Sequence, residues 1–307
     1  MIANAQATWR AQTGIVRGIA LIVVSTFAFA FMHTAIRYLS EELHPFQIAF
    51  FRNLFGLAFL LPLIARGGFA QMKTSRFGLH AMRAVVNIGA MLLFFYALSI
   101  SPLATVTALG FLGPIFAAAL SVLFLGERFR VRRWAAIGVG FLGMLIILRP
   151  GFIALDIGAV MVIASAVFWG MAMVLIKILG RTESSVAITA WMGILLGLLS
   201  LGPAIWVWRD PTVAGWFGLI FIGFWGAIAQ VSLAQALKEA EPTAIMPFDF
   251  LRLVWATLLA IWLFAETPDV FTWIGAAVIF SAGLYILRRE RKATKAGLAD
   301  TSPGGSG

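Results

Sequence analysis

Between residues 14 and 288 the chain alternates long apolar stretches with short polar turns. A helix needs about 20 mostly apolar residues to cross the hydrocarbon core of a bilayer. Ten stretches of that kind occur, at roughly 18–37, 46–65, 79–99, 102–125, 132–149, 156–178, 185–207, 214–236, 243–265 and 270–287. The turns between them are too short to hold a soluble domain. The pattern predicts an all-α membrane protein with ten transmembrane helices. The first stretch is longer than a signal-peptide core and has no small-residue cleavage site before the next polar turn, so it is expected to persist as a helix.

The second half of the series repeats the first. Glu127, Trp134, Phe141, Leu145 and the run Ile147, Leu148, Arg149 recur 139 residues later as Glu266, Trp273, Phe280, Leu284 and Ile286, Leu287, Arg288. At an offset of 140, Gly18, Ser25, Ile36, Arg37 and Leu39 match Gly158, Ser165, Ile176, Lys177 and Leu179. Five spans per copy is an odd number, so two copies fused head to tail must lie in opposite orientations. The expected organisation is two inverted five-helix repeats, 14–149 and 152–288, meeting near Arg149, Pro150 and Gly151. A tail over 289–307 is basic at first and then Gly/Ser-rich. Duplicated bundles of this kind are the architecture of secondary transporters, whose substrate sites lie between the repeats.

Composition agrees with the membrane reading. Hydrophobic residues make up 61% of the chain and charged residues 12%, against about 45–50% and 25% in a soluble domain. A net charge of +10 suggests a polyanionic partner, but the distribution of Lys and Arg accounts for it differently. With the N-terminus in the cytoplasm, the inner side holds Arg10, Arg17, Arg66, Lys73, Arg76, Arg128, Arg130, Arg132, Arg133, Lys177, Arg181, Lys238 and five tail residues. The outer side holds only Arg149 and Arg209, with Arg37 as a third if it is counted there. This bias predicts a multi-pass protein of a bacterial inner membrane with both termini cytoplasmic, in contact with lipid and with no nucleic-acid partner.

Cysteine is absent, which removes disulfides, thiolate metal sites and thiol catalysis. Three scattered histidines make no metal site, and no cofactor is expected. No Walker loop, His-Glu-x-x-His, Asp-rich prenyl motif or Gly-x-Ser-x-Gly elbow is present, which argues against an intramembrane enzyme. No span offers the repeated charge rings or filter loop of a channel.

The run from Gly110 to Phe129, with Gly113, Pro114, Gly126 and Glu127, resembles the fourth-span signature of EamA domains, the repeat unit of the drug/metabolite transporter superfamily. The segment from Phe51 to Pro62 is similar to that family's second span, and Phe95 to Pro102 to the end of its third. The second copy keeps Glu266 but has Ala265 where a glycine precedes the acid. The resemblance covers residues 14 to 288 and implies a ten-helix carrier with cytoplasmic termini, a central cavity and alternating access.

Ionisable groups inside a bilayer are costly and therefore candidates for function. Asp249 and Arg252 are three apart and share a helix face in span 9, where they can form a pair. That pair either holds span 9 in place or serves substrate and gating. The matching positions in the first copy fall at or beside Gly110 and Gly113, since the repeat offset changes by one residue. Pro114 and Pro247 lie in the symmetry-related spans 4 and 9 and point to a cavity bordered by both. His80, Arg83 and Asn87 form a polar stripe on span 3 that lines the cavity or contacts another helix. His33 in span 1 is the candidate for proton coupling, and Arg52 in span 2 lies at a similar depth. Glu127 and Glu266 end spans 4 and 9 on opposite sides, as candidates for gating. Of the mid-span tryptophans Trp169, Trp225 and Trp255, Trp169 is the one placed in the cavity.

The expected substrate is a small amphipathic metabolite, foremost an amino acid with an aromatic or bulky side chain moving outward. A vitamin, nucleotide precursor, sugar or cationic drug is the alternative. The residues leave the coupling ion, net direction and oligomeric state open.

Overall fold

The computed structural model describes residues 14–67, 73–125, 131–148, 156–179, 182, 185–239, 248–249 and 251–281. These form eleven α-helices: α1 (Gly14–Leu39), α2 (Pro45–Gly67), α3 (Phe77–Ile100), α4 (Leu103–Gly110), α5 (Leu112–Leu125), α6 (Val131–Leu148), α7 (Ile157–Leu179), α8 (Ser185–Trp206), α9 (Val213–Glu239), α10 (Leu251–Phe264) and α11 (Val270–Ser281). No strand occurs among the described residues. Among the described residues, five helices are long and apolar enough to cross a membrane, over Val16–Leu39, Pro45–Pro62, Phe77–Ile100, Ile157–Ile176 and Val213–Leu233.

Eleven helices make ten spans because α4 and α5 are the two halves of span 4. The single helix expected over 102–125 divides at Phe111. Pro114 has no N–H to offer the carbonyl of Gly110, one turn back, and the Phe111 N–H instead bonds the carbonyl of Ala108 at 3.2 Å. Pro114 thereby falls in the first turn of α5, where a missing N–H leaves nothing unsatisfied. In span 9 a short 3₁₀ turn at Phe248 and Asp249 precedes α10. Pro247 lies outside the described residues, as do Glu127, the junction at Arg149 to Gly151 and the tail.

The two copies interlock with exchanged partners. Helix α1 packs along α9 and α7 along α3, while α10 lies on α1, and α4 and α5 lie on α7. The Ser25 hydroxyl donates to the carbonyl of Ala229 at 2.8 Å, and the Ser165 hydroxyl donates to that of Ala90 at 2.7 Å. Ser165 follows Ser25 by 140 positions and Ala229 follows Ala90 by 139. One contact, made twice with the copies exchanged, is what a pseudo-twofold axis between inverted repeats requires. At the periphery α6 and α11 approach closely through glycine: a Cβ on Gly143 would lie 2.9 Å from the carbonyl oxygen of Gly275. Such backbone proximity adds packing where apolar burial gains little over lipid.

The main core draws on both copies, with Ile36, Leu98, Leu103, Leu109, Val162 and Leu219 all fully enclosed. The outward faces carry exposed Leu123, Phe217, Trp206 and Trp262, as suits a surface solvated by lipid.

Candidate functional site

The break at Phe111 faces α1 and α10, and the Asp249–Arg252 pair lies against it. Asp249 sits in the turn just before α10, where a carboxylate also suits the positive end of the helix. Nη2 of Arg252 donates to its Oδ2 at 2.6 Å. The guanidinium of Arg252 lies 5.6 Å from the ring centroid of Phe29 on α1 and 5.2 Å from that of Phe111. Two aromatic faces thus supplement the single carboxylate in holding this cation. Its Nε is buried without a hydrogen-bond partner.

His33 lies one turn beyond Phe29 and is 6% exposed. Its ring is 5.9 Å from Phe29 and 5.1 Å from Phe94 of α3, and its Nδ1 is buried without a partner. Both Arg252 and Arg52 are within electrostatic range of it. Arg52 of α2 donates to Oδ1 of Asn53 at 2.9 Å, while its Nε is buried and unpartnered. The Asn53 amide in turn donates to the Ser200 hydroxyl at 3.3 Å. Arg52, Asn53, Met192, Leu196, Gly226 and Gln230 line a cleft of about 30 Å³ between α2, α8 and α9.

Across the pseudo-twofold axis, Phe29 corresponds to Trp169, Arg252 to Gly113 and Asp249 to Gly110. The contact is kept while its chemistry changes. The Trp169 indole packs on Gly113 so closely that a Cβ there would lie 2.9 Å from its Cε3. Trp169 remains 36% exposed. The interior therefore has a charged half at Phe29 and Arg252 and an aromatic half at Trp169 and Gly113.

The stripe on α3 divides. Arg83 donates through Nη1 to the carbonyl of Ile188 at 3.0 Å, and its Nη2 lies 3.1 Å from Sδ of Met192. His80 is 2% exposed, with its ring 6.2 Å from that of Trp191. Both residues reach α8, and neither is among the groups gathered around Arg252. Asn87, one turn beyond Arg83, is half-buried and makes no hydrogen bond among the described residues. Trp225 and Trp255 pack with Phe27, at 6.0 and 5.6 Å.

A second polar network ties helix ends together on the face that carries the α1–α2 turn. Glu266 pairs through Oε1 with Arg37 of α1, and its Oε2 accepts from the Leu103 N–H at the start of α4 at 3.0 Å. Arg37 also donates to the carbonyls of Leu98 and Ser101 at the end of α3. The Ser101 hydroxyl bonds Asp156 ahead of α7. On the same face the Gln47 amide exchanges hydrogen bonds with the backbone of Arg209, at 2.6 and 3.0 Å. On the opposite face Arg17 pairs with Glu239 at 2.8 Å.

A family model, the EamA-like transporter family, matches the chain twice, at residues 16–149 and 156–288. The chain belongs to the EamA-like transporter family. Among relatives of this EamA-like transporter, the S-adenosylmethionine uptake transporter of Rickettsia bellii is 32% identical over 84% of this chain and 88% of its own. The riboflavin transporter of Brucella anthropi is 33% identical over 79% and 88%. The pseudopaline exporter of Pseudomonas aeruginosa is 29% identical over 89% and 97%. One solved crystal structure overlays 91% of this chain and 98% of its own with a TM-score of 0.62 at 19% identity, which shows the shared fold.

Several groups at the centre of this EamA-like transporter escape a reading of the sequence, among them Phe29, Phe94, Phe111 and Asn53, and Arg37 as partner of Glu266. The repeat held part of the signal. The offset of 140 that carries Arg37 onto Lys177 also carries Phe29 onto the already conspicuous Trp169.

Proposed function

We propose that this EamA-like transporter carries a small amphipathic metabolite whose ammonium and carboxylate form an amino-acid-type end, joined to an aromatic or bulky apolar portion. The carrying observation is the placement of Asp249 and Arg252 at the break in span 4, with His33 beside Phe29 and Arg52 in the adjoining α2–α8–α9 cleft, opposite the aromatic contact of Trp169 on Gly113. Asp249 suits an ammonium, the arginines suit a carboxylate, and the Trp169 side suits a ring. The relatives' names support this chemistry. S-adenosylmethionine joins an amino-acid end to a purine, and pseudopaline and riboflavin are small metabolites. Export of aromatic amino acids is the narrower form of the reading. The relatives include both uptake and export, so net direction follows the coupling gradient, with His33 as its proton-carrying candidate.

The mechanism we propose is alternating access in a bacterial inner membrane with both termini cytoplasmic. Glu266 and Arg37 then latch the outer mouth, closed in this conformation, and must part for that side to open. By the repeat, Glu127 and Lys177 stand where a matching inner latch is expected. Asn87, His80 and Arg83 contribute from the α3–α8 side, with Asn87 the one whose amide is available to a ligand.

Purified protein in liposomes tests the substrate reading. Uptake and counterflow are measured for tryptophan, leucine, S-adenosylmethionine, riboflavin and a cationic drug, with and without a pH gradient. Saturable counterflow of compounds with an amino-acid end is expected. Transport of riboflavin or the drug alone would overturn the proposal in favour of a vitamin or drug carrier.

A further inference from the structure

We infer that Arg52 contacts the transported molecule and receives its anionic group, a carboxylate, and so determines specificity in the charged half of the site. The inference rests on the proposed function and names a residue and a ligand group within it.

Arg52 lies seven residues into α2, about 10 Å along the helix. A guanidinium carries five N–H donors and no acceptor. Here the described residues supply one neutral oxygen, Oδ1 of Asn53, and leave Nε buried and unpartnered. The carboxylate of Asp249 is held by Arg252 at 2.6 Å. Arg52 makes no ion pair among the described residues, and a buried cation without a counter-charge favours an anion supplied from outside the chain.

The space beside Arg52 is shaped for it. A Cβ added to Gly226 of α9 would lie 3.3 Å from Nε of Arg52 and 3.1 Å from Sδ of Met32, so glycine keeps clear the side of the guanidinium that lacks a partner. The cleft beside it carries the amides of Asn53 and Gln230 among otherwise apolar walls. At about 30 Å³ it admits water but no metabolite. A carboxylate reaching this side would meet two parallel N–H groups, the geometry in which arginine exceeds lysine.

The test uses two probes that share an indole and differ in charge: indole-3-propionate, with a carboxylate and no ammonium, and tryptamine, with an ammonium and no carboxylate. Thermal unfolding of the full-length protein in detergent is followed with each probe for wild type, Arg52→Gln, Arg52→Lys and Gly226→Ala. Indole-3-propionate is expected to raise the unfolding temperature of wild type. Its apparent affinity should fall about tenfold or more in Arg52→Gln, less in Arg52→Lys, and measurably in Gly226→Ala, with tryptamine unaffected by all three. No shift with indole-3-propionate in wild type, or the same shift in wild type and Arg52→Gln, overturns the inference. If Arg52→Gln does not fold, Arg52→Lys and Gly226→Ala carry the decision, and unchanged affinity in both overturns it. An Arg52-dependent shift in a protein that shows no tryptophan counterflow leaves the anion site standing and removes the amino-acid reading.

Discussion

The Phe29 ring lies 5.6 Å from the guanidinium of Arg252, and the two residues that correspond to them in the other copy, Trp169 and Gly113, also touch. Duplication supplied two equivalent places, and divergence gave them opposite characters. Where the second copy places a long cation against a phenyl ring, the first removes the side chain altogether and lets a larger indole close the gap. Exchanging the chemistry is thus a test of the site itself.

Asp249 and Arg252 should behave as one unit. Breaking a fully buried pair from one side costs roughly 3–5 kcal/mol. Each side chain here keeps about a fifth of its exposure, so the loss should be smaller. Asp249→Asn and Arg252→Gln are each expected to lower the unfolding temperature and the transport rate, with the double substitution less than additive. Strict additivity in a double-mutant cycle would argue against coupling.

Under the proposed alternating access, opening of the outer mouth should follow the Arg37–Glu266 pair. The chain has no cysteine, so a single cysteine at Thr107, 4% exposed and one turn below Leu103, reports access from that side. Glu266→Gln or Arg37→Gln should speed its labelling by a membrane-impermeant maleimide several-fold. Equal labelling rates with and without the pair would show that it does not close the mouth.

Ala265 has φ of 52°, in the left-handed region, and the Glu266 N–H closes back on the carbonyl of Ala260 at 3.2 Å. This helix ending normally takes glycine, since a Cβ there costs on the order of 1 kcal/mol. Ala265→Gly should stabilise the protein by up to about that amount, less the greater freedom of the unfolded chain. Chemical denaturation in detergent checks it. A destabilised variant would place Ala265 in another backbone conformation.

His44, in the α1–α2 turn, accepts a hydrogen bond from the Phe46 N–H through Nδ1 at 3.2 Å. Burial lowers its pKa below the ordinary 6.5. With the folded pKa depressed, the contribution to stability is complete above 6.5, falls as pH drops below that value, and stops falling once the folded pKa is passed. Unfolding temperatures between pH 7.5 and 5 should show this loss for wild type and a flatter profile for His44→Gln. NMR titration of labelled histidine gives the folded pKa directly, and a value at or above 6.5 would refute the assignment.

What could be read in advance follows from how local each feature is. Span number and inversion are written in apolar run lengths and an odd count per copy, and the Asp249–Arg252 pair in a spacing of three on one helix. Helix rotation is not written so plainly. Most of these spans are apolar on nearly every side, because one side meets protein and the other meets lipid, and even the polar stripe on span 3 does not say which neighbour it meets. For that reason the direction of His80 and Arg83 toward α8, and the partnership of Arg37 with a residue 229 positions away, emerge only once the helices are packed. Pro114 announced the interruption of span 4, while its location at Phe111 required the rule that a proline frees the carbonyl four residues earlier.

The interruption at Phe111 has a mechanical consequence. Since Pro114 has no N–H and sits where none is needed, α5 can pivot against α4 without severing a helical hydrogen bond at the joint. Phe111 is also one of the two rings against Arg252, so a rotation there would change how that cation is screened at the same moment as it changes the shape of the passage. The break in span 4 and the cation of span 9 thus meet at one ring.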